Sequence, residues 1–306
     1  MNQPTTLVAL LFLAACGPLP VDDVDETGED DVATSIFRNN LRRVNLQPQG
    51  LSQAVIDVST EDEFRAALTS LPAITGDCYG RGIRVVVPEL VIRDGFTLGA
   101  QHAGISLSSA TTTKIVVSGT LSTPAIFAVG NGADDVSITG FRWSSLDTLV
   151  NHEAARLFIS QCSTLSALFG GTLLSTLAGS SFATVSACSA TAMLSSPSFI
   201  VFTSLRVINS SFESSSVADV NNSSFTGNDF VSITFTGSKN QFVANRFTGA
   251  LTVVGELNSA TGNYMNNNSI TMSSSLGYNS IVGNTGCSAV TADADGTVGL
   301  NSGFPP

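Results

Sequence analysis

Charged side chains are scarce in this chain, making up 12% of its 306 residues, against about a quarter in ordinary soluble domains. Residues 157–205 contain no Asp, Glu, Lys or Arg at all. Acid–base cleavage of a glycosidic bond needs carboxylates, or a carboxylate and a base, set across the bond, so this tract carries no such chemistry. Lys and Arg total 13 against 24 acids, a formal net charge of −11. Without a basic stripe, nucleic acid is excluded as a partner. Two His and no closely spaced Cys pair rule out the usual zinc spacings, and neither metal nor cofactor is expected. Apolar residues reach 43%, yet no run approaches the roughly 18–20 needed to span a bilayer. Trp occurs once and Tyr three times beside 18 Phe. Phe recurring at fixed positions reads as an internal stack, not a sugar platform.

A spaced series of asparagines is present: Asn209, Asn228, Asn245, Asn263 and Asn284, separated by 19, 17, 18 and 21 residues. Short β-forming runs precede them (Val207-Ile208, Phe242-Val243, Ile281-Val282), and Phe212, Phe230 and Phe247 follow three of them. A period near 20 means that no repeat buries its apolar face alone, so the core forms only when coils stack. Continued backward, the series meets Cys188, Cys162 and Gly140. A buried Asn needs partners at both ends of its amide, and an identical Asn one strand above and below supplies them.

The N-terminus carries an address. Leu7 to Leu13 are apolar, and Leu13-Ala14-Ala15-Cys16-Gly17 follows with small residues. This segment resembles a bacterial lipoprotein signal peptide, which implies processing after residue 15 and a lipid anchor on Cys16. Met1 to Thr6 lack the basic residues that such signals carry. Seven acids between Val21 and Ala33 make residues 16–34 a solvated tether. Within a lead-in over 35–80, Thr60 and Glu63 form a capping-box pattern, Phe64, Ala67, Leu68 and Leu71 share one face, and Pro72 ends the helix. This helix is expected to cap the open end of the solenoid.

From Ile83 onward, short strands alternate with Gly, Pro, Asp or Asn. The segments Gly104 to Leu107, Ala125 to Gly130 and Asp135 to Phe141 resemble the right-handed parallel β-helix of the pectin-lyase-like superfamily. The resemblance implies an all-β, single-stranded solenoid of about ten coils over 81–290, with a tail at 291–306 and a length of roughly 50 Å. It also implies stacked Asn amides, and relatives that include polysaccharide lyases and hydrolases as well as adhesins. Cys162 and Cys188 fall at equivalent steps, compatible with a disulfide or with stacked free thiols; Cys78 and Cys287 lie too far apart to pair.

The hydrolase pattern is not met. Asp134-Asp135 precedes Val136-Ser137-Ile138 as a turn, and the accompanying His-Gly and Arg-x-Lys motifs are absent. One polar cluster remains. His152, Glu153 and Arg156 are its catalytic candidates, and Arg142, Trp143 and Asp147 are its binding candidates beside an aromatic platform. A second candidate surface is the hydroxyl series Thr234, Thr236, Thr252, Thr271 and Ser273. The sequence therefore reads as an exported, monomeric, lipid-anchored protein of the outer membrane or cell surface. Its expected role is that of a non-catalytic surface binding or structural protein, with polysaccharide or another envelope component as the expected partner, the competing role being an atypical polysaccharide lyase or glycoside hydrolase.

Overall fold

The computed structural model describes residues 55–71, 81–143, 147–153, 156–164, 172–176, 181–190, 192–195, 201–212, 217–274 and 277–303. The expected lipid anchor at Cys16, the expected tether over 16–34 and Cys78 lie outside these residues.

The chain is a parallel β-helix. Its first column of strands begins with Val55–Val58, Arg81–Val85, Ile105–Ser109 and Val136–Thr139, and ends with Ser259–Thr261, Ser280–Val282 and Thr297–Gly299, each paired in parallel with the next. A second column runs from Glu89–Ile92 through Arg142–Trp143, Ser211–Phe212 and Arg246–Phe247 to the start of Thr285–Thr291. Phe96–Leu98, Phe127–Val129, Thr148–His152, Thr172–Thr176 and Ala192–Ser195 form a separate sheet on the remaining side of the early coils. In later coils that side is built by Val217–Asn221, Ile233–Thr236, Leu251–Val254 and the end of Tyr264–Ser273. Among the described residues the stack thus includes strands before residue 81, from Val55, and passes residue 290 to the bridge between Thr285 and Ser302.

Corners between the first and second columns follow one rule. A residue in the left-handed region, Gln161, Ala187, Asn209, Gly227, Ala244, Gly262 or Gly283, with φ between 48° and 68°, precedes a buried side chain that faces inward: Cys162, Cys188, Ser210, Asn228, Asn245, Asn263 or Asn284. Asn209 is therefore not a rung of the ladder. It occupies the left-handed position, which Asn tolerates because its short amide bonds locally, and Ser210 is the rung. Gly140 likewise sits one residue before the rung position, which Phe141 fills.

The ladder's bonds are as the amide inventory requires. Asn245 Oδ1 accepts from the backbone N–H of Asn228 at 2.9 Å and from its Nδ2 at 3.0 Å, while Asn245 Nδ2 donates to Phe225 O at 2.9 Å and Asn263 Oδ1 at 3.0 Å. The series continues through Asn284 to Asn301. A second ladder, not expected from the sequence, closes the opposite end of the same short strands. The backbone N–H groups of Ser223, Asn240 and Asn258 donate to the side chains of Asn240, Asn258 and Asn279 at 3.1, 2.9 and 2.9 Å.

The bore is filled by stacked apolar side chains. Phe225 and Phe242 lie 5.0 Å apart at 8°, and Phe212, Phe230 and Phe247 stack at 5.7 and 5.4 Å. At the N-terminal end the helix Glu61–Ser70 carries its expected capping box, Thr60 Oγ1 accepting from Glu63 N at 3.2 Å and Glu63 Oε2 from Thr60 N at 3.2 Å. Its Phe64 is fully buried 4.2 Å from Phe96, which stacks in turn on Phe127 at 5.8 Å. The helix thereby seals the bore. Glu61 fastens it, accepting from Arg65 at 2.7 Å and Arg93 at 2.8 Å. Among the described residues, no helix is long and apolar enough to cross a membrane.

Candidate functional site

The cluster from Arg142 to Arg156 does not converge. Arg142 faces solvent on the second column, in register with Lys114 and Ser163. Trp143, the next residue, faces inward and is fully buried. It belongs to the inner row that runs from Ile115 to Thr164 on the neighbouring coils. Its Nε1–H donates to the Asp147 carbonyl at 3.1 Å. The expected aromatic platform is therefore part of the core. Asp147 is half-buried at the entry to Thr148–His152, and burial raises its carboxyl above the ordinary range.

His152 is enclosed, with no exposed surface, between Val129 and Thr176 on the neighbouring coils. Burial holds its imidazole down at about 4, against the opposing pull of the Asp134 carboxylate. It is neutral at physiological pH and has no path to a solvent-borne substrate. Glu153 follows at the strand's end. Arg156 lies one corner further on, where it pairs with Asp135 of the preceding coil at 2.5 Å. Asp135 itself has φ 60°, in keeping with the turn role expected of Asp134-Asp135. The six candidates are thus spread around a coil, two of them inside it.

What the sequence did not single out is a shallow depression of about 470 Å³ along the corner between the first and second columns. Its rim on one side is the left-handed row Gln161, Ala187, Asn209 and Gly227, and on the other the row Ser163, Ser189, Ser211 and Asp229, which are in register coil upon coil. Cys162, Cys188 and Ser210 form the floor. The geometry arises from the corner itself: a left-handed residue and the first strand residue both project outward, while the small rung between them turns in. Small rungs leave a trough here. The signal was present in the sequence as the shift from Asn to Cys and Ser at the rung position.

Cys162 and Cys188 are free thiols stacked on successive coils, so the disulfide is not formed. Each is turned toward a carbonyl of its own coil, Cys162 Sγ donating to Ser160 O at 3.3 Å and Cys188 Sγ to Ser186 O at 3.4 Å. Burial pushes the Cys188 thiol well above its ordinary value. In the hydroxyl series of the third side, Thr234, Thr252 and Thr271 are in register and half-buried, whereas Thr236 is followed in its row by Val254 before Ser273.

No family model and no curated protein matches the chain. Among solved structures it is similar to the A-module of mannuronan C-5 epimerase AlgE6 from Azotobacter vinelandii, with a TM-score of 0.42 and 13% identity over 84% of this chain and 98% of that one. It is also similar to ORF18 of Geobacillus virus E2, with a TM-score of 0.33 and 10% identity over 90% and 64% of the two chains. Likenesses this distant transfer neither a site nor an activity.

Proposed function

We propose that this protein is a lipid-anchored rod of the bacterial cell envelope that binds glycan without turning it over. The observation that supports this reading is the character of the trough. It is shallow, and its rims present hydroxyls, carboxamides and a carboxylate, groups that hydrogen-bond sugar hydroxyls. Catalysis would instead call for an acid and a base converging on one bond. Anchoring through Cys16 and the tether over 16–34 would hold the rod clear of the membrane surface, with its helix-capped end toward the lipid.

The test is a glycan array with the full chain carrying Cys16→Ala, run beside an assay for unsaturated and reducing-end products on the same polysaccharides. Binding without product is the expected result. Turnover lost on Arg156→Ala would replace this reading with the enzymatic one. Membrane association of the natural chain that persists in Cys16→Ala after carbonate washing would remove the anchor.

A further inference from the structure

Resting on the glycan-binding reading, we infer that the ligand is an uncharged, linear polysaccharide lying along the rod axis, with one sugar unit facing each of four coils and Asp229 gripping one end. Three observations carry this. First, the trough is a cavity with direction. Ser163, Ser189, Ser211 and Asp229 repeat in register on successive coils, and strands stack about 4.8 Å apart. That rise is close to the advance of one unit in an extended 1,4-linked pyranose chain. A branched or globular ligand gains nothing from such a periodic rim, whereas a linear chain meets an equivalent hydroxyl at each step.

Second, among the described residues the lining has one carboxylate and no cation. A polyuronate laid along the four coils would bring a carboxylate against Asp229 with no cation in the lining itself, the nearest on this row, Arg246, standing one coil beyond in register with Asp229, and like charges brought together are unfavourable. An uncharged glycan meets no such opposition. Its vicinal hydroxyls donate to the two oxygens of Asp229, which has acceptor capacity and nothing to donate, and hydrogen bonds to an ionised acceptor are the strong ones. The nearest cations on the same outward row, Arg142 and Arg246, lie one coil beyond either end. They bound the cation-free track.

Third, the corner is shaped for close approach. A Cβ on Gly227 would stand 2.6 Å from Asn209 Oδ1, and Gly227 has φ 66°. The glycine therefore lets the Asn209 carboxamide lean over the rim beside Asp229. That sets an amide and a carboxylate at the same end of the trough.

The experiment is calorimetric titration of the full chain carrying Cys16→Ala with neutral 1,4-linked gluco-, xylo- and N-acetylglucosamine oligomers in graded lengths, and with oligogalacturonates of the same lengths. Affinity for a neutral series is expected to rise with each unit and level off near about four, the span of the trough. Asp229→Asn should weaken binding about tenfold or more, from the loss of charge-assisted hydrogen bonds. Ser189→Tyr, an exposed change that fills the trough, should abolish it, and the same melting temperature in both variants excludes misfolding as the cause. Oligogalacturonates binding as tightly as neutral chains, or affinity independent of length, would overturn this inference while leaving glycan binding intact. Failure of every glycan to bind would overturn both.

Discussion

The late coils and the early coils share one hydrogen-bonded stack but close their corners by different chemistry. From Ser224 onward the register of the first column advances by 17, 18, 21 and 17 residues, and Gln241–Val243, Ser259–Thr261 and Ser280–Val282 are each bracketed by a buried Asn on either side. Between Gly82 and Thr184 it advances by 24, 31, 21 and 26 residues. There the corners are longer, and ionised groups hold them: Arg156 with Asp135, Glu61 with Arg65 and Arg93, and Asp94 accepting from Ser122 and the Gly95 N–H. Neutral amides fix coil length tightly and ignore pH. Ion pairs accommodate loops of varied length, and they titrate.

Asn245→Leu tests the neutral half and should have the largest effect. It strands the Asn228 amide and the Phe225 carbonyl in a dry corner, at about 1–3 kcal/mol for each group, so a loss of about 4 kcal/mol is expected in urea denaturation. Because solenoid coils depend on their neighbours, hydrogen exchange should quicken in the coils on both sides. A midpoint equal to wild type would show that the ladder is decoration.

The early half should respond to acid, beginning with His152. Its folded pKa lies near 4, below the ordinary 6.5, so the unfolded chain takes up a proton that the folded chain refuses. Stability present above about pH 6.5 is then lost as pH falls toward about 4, by up to about 3 kcal/mol. His152→Leu should flatten that slope in melts across the window. An unchanged slope would place the titration elsewhere.

The helical cap gives the smallest expected change. Thr60→Ala removes one capping bond, worth about 1 kcal/mol, and should loosen the Phe64 contact without reaching the Asn coils. The cap also has a pH signature at lower values. Burial works against the Glu61 carboxylate, yet the bonds from Arg93 and Arg65 outweigh it and leave the group below its ordinary value. Asp94 is held at about 2, chiefly by the Ser122 hydroxyl. Depressed carboxylates stabilise the fold above their unfolded values near about 4 and lose that contribution as pH falls further. Exchange at the Phe64 amide should therefore rise in acid before exchange at Asn245 does, and the reverse order would erase the contrast between the halves.

Much of this architecture was legible because rungs must recur. The spacing of Asn228, Asn245, Asn263 and Asn284 identified the stack, and Phe230 and Phe247, two positions after the first two of them, marked its inner row. Asn209 misled because Asn satisfies two neighbouring demands, a left-handed backbone and a rung, and only the fold distinguishes them. Asn240, Asn258 and Asn279 stand five residues before known rungs, a spacing that one short strand between two corners produces. The Arg142 to Arg156 cluster misled for another reason. Nearness in sequence is not nearness in a coil, where fifteen residues travel most of the way around. The trough escaped notice because its floor is made of small residues and its rims come from four separate coils.

A consequence of the paired ladders concerns heredity more than folding. Each late coil offers the same donors and acceptors on its upper and lower faces, so a duplicated or deleted segment of one coil length meets partners already of the right kind. The gene can lengthen or shorten this rod in increments of about 4.8 Å without inventing a new interface, much as a telescoping tube changes reach without changing its joints. Substitution alters what such a surface presents; duplication alters the length of the rod that presents it.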